Sequence, residues 1–200
     1  MPPEPQRTAD PVEVPLFPLK TVLFPGGPLP LRVFEPRYLD MISSCLKEGR
    51  GFGVVLIREG QEVGDATTFA VGTMAEIVDW YQGSDGLLGV TAQGRGRFRA
   101  SATRKQKDGL NVGSVEFLSP EPSLPLPERF QAMARILEEV MDDLGSHYQD
   151  IDKHYRDASW VGYRFAEILP LPLEQKQSYL EMNDPERRLD LLRPLLKIRT

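Results

Sequence analysis

Proline placement constrains this chain before anything else does. Ten of the eighteen prolines lie within residues 1–36, four crowd into residues 120–127, and four are scattered near the C-terminus. Each proline removes a backbone donor and disfavours helix at the residue before it, so both clusters must be extended or turning chain. Residues 1–11 are polar and proline-rich and read as a disordered tail, because they hold too little apolar surface to offset ordering. Residues 119–127 read as a stiff linker.

The two sides of that linker have different periodicities. Before it, the short runs Phe52–Ile57, Thr73–Trp80, Leu87–Thr91 and Val112–Leu118 are separated by glycine or aspartate turn signals and read as strands. Arg95, Arg97 and Arg99 alternate with smaller or apolar residues, which predicts one basic strand face. A single helix fits this half, Pro36–Glu48, with an apolar stripe through Tyr38, Met41, Ile42 and Cys45 and Gly49 as its stop. Many short strands with one helix predict a small barrel over residues 12–118. After the linker, residues 128–200 turn helical. One stripe runs Phe130, Met133, Leu137, Met141, Leu144 with Gly145 as its stop, and a second runs Tyr148, Ile151, Tyr155, Ala158, Val161, Phe165, Leu169. A short helix over Leu173–Met182 and a last one started by Asp184 and Pro185 complete the expected bundle. The fold class is therefore α+β.

Composition excludes several classes of function. The longest stretch free of Asp, Glu, Lys and Arg is Thr21–Leu31, far short of a membrane span of roughly 20 apolar residues. A single cysteine, Cys45, rules out an internal disulfide and, with no apolar leader at the start, the expected compartment is the cytoplasm. The formal charge is −5, and neither half is basic, which argues against phosphate-led nucleic-acid binding. Gly89–Arg95 has the two glycines of a phosphate loop but carries Arg and Gly where Lys and Ser or Thr belong. Asp143, His147, Asp150 and His154 share a helical stripe, but Gly145 and Ser146 interrupt it, so a solvated polar face is expected rather than a metal site. Cys45 reads as a buried, inert thiol. No residue set reads as an active site, and no cofactor or metal is expected.

The segment Pro15-Leu16-Phe17-Pro18-Leu19 through Phe24-Pro25-Gly26, with Leu31-Arg32-Val33-Phe34-Glu35-Pro36-Arg37-Tyr38, resembles the opening of the N-terminal substrate-binding domain of Lon-type ATP-dependent proteases. The likeness continues in Phe52–Val55, Val71–Ile77, Gly94–Phe98 and the C-terminal Leu169–Glu181 with Arg187–Leu189, spanning nearly all of residues 12–195. It implies a PUA-like β pseudo-barrel with one helix, followed by a C-terminal α-helical bundle, used to recognise protein substrates. The chain ends at Thr200, with neither an ATPase nor a serine–lysine protease module. The expectation is a non-enzymatic module for polypeptides, unfolded or partner proteins, or a separate ATPase–protease. Expected apolar contacts are Phe24, Leu29, Trp80 and Tyr81, at a groove between barrel and bundle or along a barrel edge strand, with two or more of the four possible as core. Pro18, Pro25, Gly26, Arg32, Phe34, Glu35, Pro36, Arg37 and Tyr38 form the family motif, with mainly structural roles. Because PUA-like folds also bind RNA, the alternative is an RNA surface on Arg95, Arg97 and Arg99.

Overall fold

The computed structural model describes residues 12–62, 66–144 and 146–196; the tail expected over residues 1–11, the stop at Gly145 and the His147 side chain lie outside the description. Seven strands, β1 (Val12–Leu19), β2 (Pro28–Val33), β3 (Phe52–Gly60), β4 (Ala66–Thr68), β5 (Val71–Gln82), β6 (Leu88–Lys105) and β7 (Asn111–Phe117), form one mostly antiparallel sheet. β1 lies antiparallel to β7 and parallel to β3, and β3–β5–β6–β7 continue antiparallel, so the pairings of five strands return to their start. The long β6 makes this possible. Its first part pairs with β2 and its second part with β7. Gly89–Arg95 lies within it as extended strand, a geometry that cannot wrap a phosphate.

α1 (Pro36–Glu48) starts with proline in its first turn and ends at Gly49. It closes one end of the strand ring, burying Tyr38, Met41, Ile42 and Cys45 against Phe17, Phe52 and Val54. The Phe17 and Tyr38 rings stack at 4.0 Å. Cys45 is buried there, and burial pushes its thiol above the ordinary range.

Four further helices follow, α2 (Gln131–Asp143), α3 (Ala158–Ile168), α4 (Leu173–Glu181) and α5 (Pro185–Leu192). The continuous stripe expected from Tyr148 onward is only partly helical. Helix begins at Ala158, where the Asp157 carboxylate accepts the Trp160 N–H at 2.8 Å. Nor is α3 one-sided, since every residue from Ala158 to Ala166 is buried. It is the central helix of a core that also contains Val22, Phe24, Leu56 and Val71 from the strand half, and a helix so enclosed needs no polar face.

The proline-rich stretch is tied by backbone bonds to the helical half. Pro125 forms a bridge with Asp157, the Leu126 N–H donates to the Arg156 carbonyl (2.8 Å), and the Ala158 N–H donates to the Leu124 carbonyl (2.9 Å). The Leu126 N–H and the Leu124 carbonyl, between the prolines, fasten the stretch to the chain entering α3.

Candidate functional site

A groove of about 470 Å³ runs along the seam between strands and helices. Its strand wall is the Pro25–Gly26 turn beside Gly94–Arg97 of β6, and its helical wall is Trp160 and Tyr163 of α3. Gly26 takes φ +74°, which favours glycine, with the Trp160 ring 3.8 Å from where a β-carbon would stand. At Gly94 a β-carbon would run into the Phe24 carbonyl, while the Gly94 carbonyl accepts from the Gly26 N–H and the Gly94 N–H donates to the Gly27 carbonyl across the turn. Glycine at both positions lets the turn lie flat against β6. Gly96 is different: a side chain there would meet open space.

The polar groups around the groove are largely spoken for. Arg97 spends its donors on the Leu180 carbonyl (2.7 Å), the Met182 carbonyl and the Asn183 side chain. Arg188 grips Glu121 with both guanidinium nitrogens, at 2.5–2.8 Å, and lies 3.9 Å over the Tyr163 ring. Both members of that pair are buried, so each depends on the other for charge compensation. Burial pushes the Tyr163 hydroxyl well above the ordinary tyrosine range. What remains for a ligand is an apolar floor of proline, tryptophan and tyrosine, with the Tyr163 hydroxyl as the one buried side-chain group lacking a hydrogen-bond partner among the described lining residues.

Ser123, His154 and Asp157 also border this groove, three residue types that could suggest nucleophilic catalysis. Their arrangement does not support it. The Ser123 hydroxyl donates straight to the Asp157 carboxylate (2.5 Å), and the His154 ring meets the Trp160 ring edge-on. A relay requires histidine between the serine and the acid. Ser178 and Lys176 likewise diverge, the hydroxyl donating to the Gln175 carbonyl and the ammonium to the Glu167 carbonyl.

The structure separates the four expected apolar contacts. Phe24 has no exposed surface: the turn that follows it folds back on α3, with Arg164 donating to the Pro25 carbonyl (2.9 Å), and its ring lies against Tyr163. Leu29 is also core, 8% exposed, because its register opposite Ala92 places it on the inner face of the sheet. Both are therefore corrected from contact to core. Trp80 and Tyr81 are exposed, at 59% and 53%, on the outer half of β5, away from the groove residues. The single basic face is corrected too. Three residues of β6 span two of β5 between Gly94 and Arg97, a bulge that breaks the alternation. The bulge takes Arg95, which pairs with Glu76, out of step with Arg97 and Arg99; those two keep the alternation, but the end of α4 covers Arg97 and buries it while Arg99 stays exposed.

Among the motif residues, Pro25 and Gly26 line the groove and Pro18 lies within β1. Arg37 donates to Glu35 (2.9 Å) and to the Gly109 carbonyl (2.9 Å) and stacks on Tyr38, Arg32 pairs with Asp85, and Phe34 is exposed. Pro36 opens α1. Trp160, Tyr163 and Gly96 carry the groove without having been singled out for it. Trp160 and Tyr163 sit in an apolar stripe that looks like any core helix, and only the turn on the opposite wall distinguishes them.

The profile of the ATP-dependent protease La (LON) substrate-binding domain matches residues 13–197. The chain belongs to the Lon substrate-binding domain family. A solved Lon N-terminal domain protein from Xanthomonas campestris is 37% identical, with a TM-score of 0.76 over 94% of this chain and 99% of that one. The N-terminal domain of a Mycobacterium avium complex Lon protease shares the fold, with a TM-score of 0.63 at 15% identity, covering 94% of this chain and all of its own. Lon protease 2 of Myxococcus xanthus is 27% identical over 93% of this chain. The chain spans about a quarter of the length of such curated relatives, 24% in that case. Protein cereblon of Danio rerio matches a shorter part, 35% identical over 53% of this chain and 25% of its own length.

Proposed function

We propose that this chain is a non-catalytic binding module for polypeptides, which captures apolar segments of unfolded or partner proteins in the groove between its strands and helices. The observation that carries this is the groove itself: an apolar floor with its bordering charges already paired, in a member of a substrate-binding family. We read the ring of strands as a PUA-like pseudo-barrel, the helices after the proline-rich stretch as a C-terminal bundle, and the setting as the cytoplasm. A separate ATPase–protease is a reasonable partner, since the curated relatives carry this region as one part of a longer Lon protease. Gripping apolar segments at this seam needs neither cofactor nor metal.

RNA binding on Arg95, Arg97 and Arg99 is the weaker alternative. Arg97 spends its donors on the α4 end, and Arg95 is neutralised by Glu76. Too few free cations remain on that strand to neutralise a run of phosphates.

The test uses a permanently unfolded probe, reduced and carboxymethylated lactalbumin. Binding through apolar burial should change little with salt, whereas phosphate-led binding of an RNA oligonucleotide should fall steeply. Gly96→Leu fills open space on the groove wall without a backbone penalty. It should leave the melting temperature near that of the parent and weaken the probe by about tenfold or more. Unchanged binding in a folded Gly96→Leu protein would place the polypeptide elsewhere.

A further inference from the structure

Sheet edges are where extended chains attach, and folded proteins usually blunt them. Two edges here are blunted. β2 carries Pro28 and Pro30, and β4 is three residues long. The outer half of β5 is not. β3 pairs with β5 only at Thr73–Ala75, so from Glu76 to Gln82 the strand is bonded to β6 on one side and, among the described residues, to no strand on the other. This stretch contains no proline, and it presents Val78, Trp80 and Tyr81, each more than half exposed. Valine and aromatic residues favour extended pairing. The Trp80 N–H is taken by the neighbouring Asp79 carboxylate at 2.9 Å, a local substitute of the kind unpaired edge amides find. The only irregularity is a bulge at Val78, which pushes that side chain outward.

The edge leads into a second groove, of about 520 Å³, between the C-terminal end of α1 and Met74–Ile77. We infer that the free edge of β5 accepts one extended apolar polypeptide segment as an added strand, paired along Asp79–Gln82 with its end lying in this groove. Two observations select that occupant. Arg95 pairs with Glu76 and Arg50 with Glu48, and the one further charge on the stretch, Asp79, already accepts from the Trp80 N–H, so the edge offers mainly backbone and apolar side chains. The three exposed side chains offer roughly 300 Å² of apolar surface, well under the roughly 800 Å² per partner of a stable interface. That suits a single captured strand and not a second copy of this chain. Main-chain bonds would then supply affinity without demanding one sequence. The inference takes its ligand class from the proposed polypeptide-binding role, but it uses a different surface from the α3 groove.

The probe is a synthetic peptide of about ten residues alternating valine and threonine with lysine ends, a pattern with one apolar face. Adding it should slow hydrogen exchange at the amides of residues 79–82, and Trp80→Lys, at an exposed position, should weaken it by about tenfold. The same peptide N-methylated at every residue has neither edge left for pairing and should not bind. This control needs no variant of the protein. Equal binding of the N-methylated peptide overturns the inference, as does protection confined to Gly94–Arg97 and α3, which would leave the seam groove as the site. Protection of residues 79–82 that grows with protein concentration in the absence of peptide would assign the edge to a second copy and also overturn it. Gly96→Leu should leave peptide binding intact, so failure at the groove and failure at the edge are read separately.

Discussion

Arg164 and Glu167 show how a single pair can hold the seam together. Arg164 is fully buried and donates to the Pro25 carbonyl, while its guanidinium lies 2.8 Å from Glu167. Glu167 also accepts from the Tyr148 hydroxyl at 2.9 Å. Burial outweighs the attraction of Arg164 and holds the Glu167 carboxyl above the ordinary carboxylate range. The Lys176 ammonium, donating to the Glu167 backbone, is pulled the other way by its own burial. A raised carboxyl pKa means the folded chain holds that proton more tightly than the unfolded chain does. Its contribution to stability is complete below the ordinary range and is lost as pH rises through the raised value. Urea midpoints should therefore rise as pH falls through the raised value toward the ordinary carboxylate range. Glu167→Gln should flatten that rise and be at least as stable as the parent at neutrality. Glu13, held low by its bond to Arg104, and Glu48, held low chiefly by the Ser44 hydroxyl, act in a different window. Their contributions are present above the ordinary range and disappear only below it. A Gln variant much less stable than the parent at neutral pH would show that the pair's attraction exceeds its burial cost.

At the scale of elements, α3 has the most to lose at its first turn. Asp157 accepts from the Trp160 N–H and from Ser123, so one carboxylate both starts the helix and pins the proline-rich stretch beside it. Asp157→Ala should cost about 1–2 kcal/mol, the upper part of the range for a lost cap, read as a lower urea midpoint with unchanged slope. Asp157→Asn, which can still accept, should recover most of it. This helix start also marks where sequence reasoning stopped being sufficient. The stripe through Tyr148, Ile151 and Tyr155 has helical spacing, yet these side chains reach the same core from a 3-10 turn, a bend and a turn. Periodicity records which side chains go inside and not which backbone delivers them. α1 was fully legible because proline, apolar stripe and terminal glycine agree. The strand positions around β3, β5 and β7 were legible from their apolar runs and turn residues. Pairing was not: the bulge that displaces Arg95 depends on how β5 and β6 register, and the burial of Arg97 depends on the distant end of α4, so no local signal in Gly94–Arg99 reports either. Trp80 and Tyr81 were recognisable as exposed because they lie just before a turn, whereas Phe24 was drawn inward by a helix well over a hundred residues away.

The molecule as a whole should unfold in one step. The helical core is incomplete without Val22, Phe24, Leu56 and Val71 from the strand half. Full burial of Phe24 alone is worth about 2–3 kcal/mol. Three polar ties cross the same seam: Arg97 to the end of α4, Gln177 to the Val71 carbonyl, and Arg164 to the Pro25 carbonyl. Cutting the chain near Ser119 would leave Arg97 and Phe24 without their partners from the helical half. Residues 128–196 would lose Glu121, the counter-ion of the buried Arg188, and breaking a buried pair costs roughly 3–5 kcal/mol. That is a large share of the marginal stability of a small helical unit, about 5–15 kcal/mol for a typical domain. A fragment ending near Ser119 should thus be soluble but less stable than the whole chain, and residues 128–200 alone should be poorly folded. Calorimetry of the intact protein should give a single transition whose calorimetric and van't Hoff enthalpies agree. Two separated transitions, each reproduced by one isolated fragment, would mean that the halves fold independently. The seam groove would then be a contact that opens and closes, and a polypeptide bound there would raise the temperature of both transitions together by bridging them.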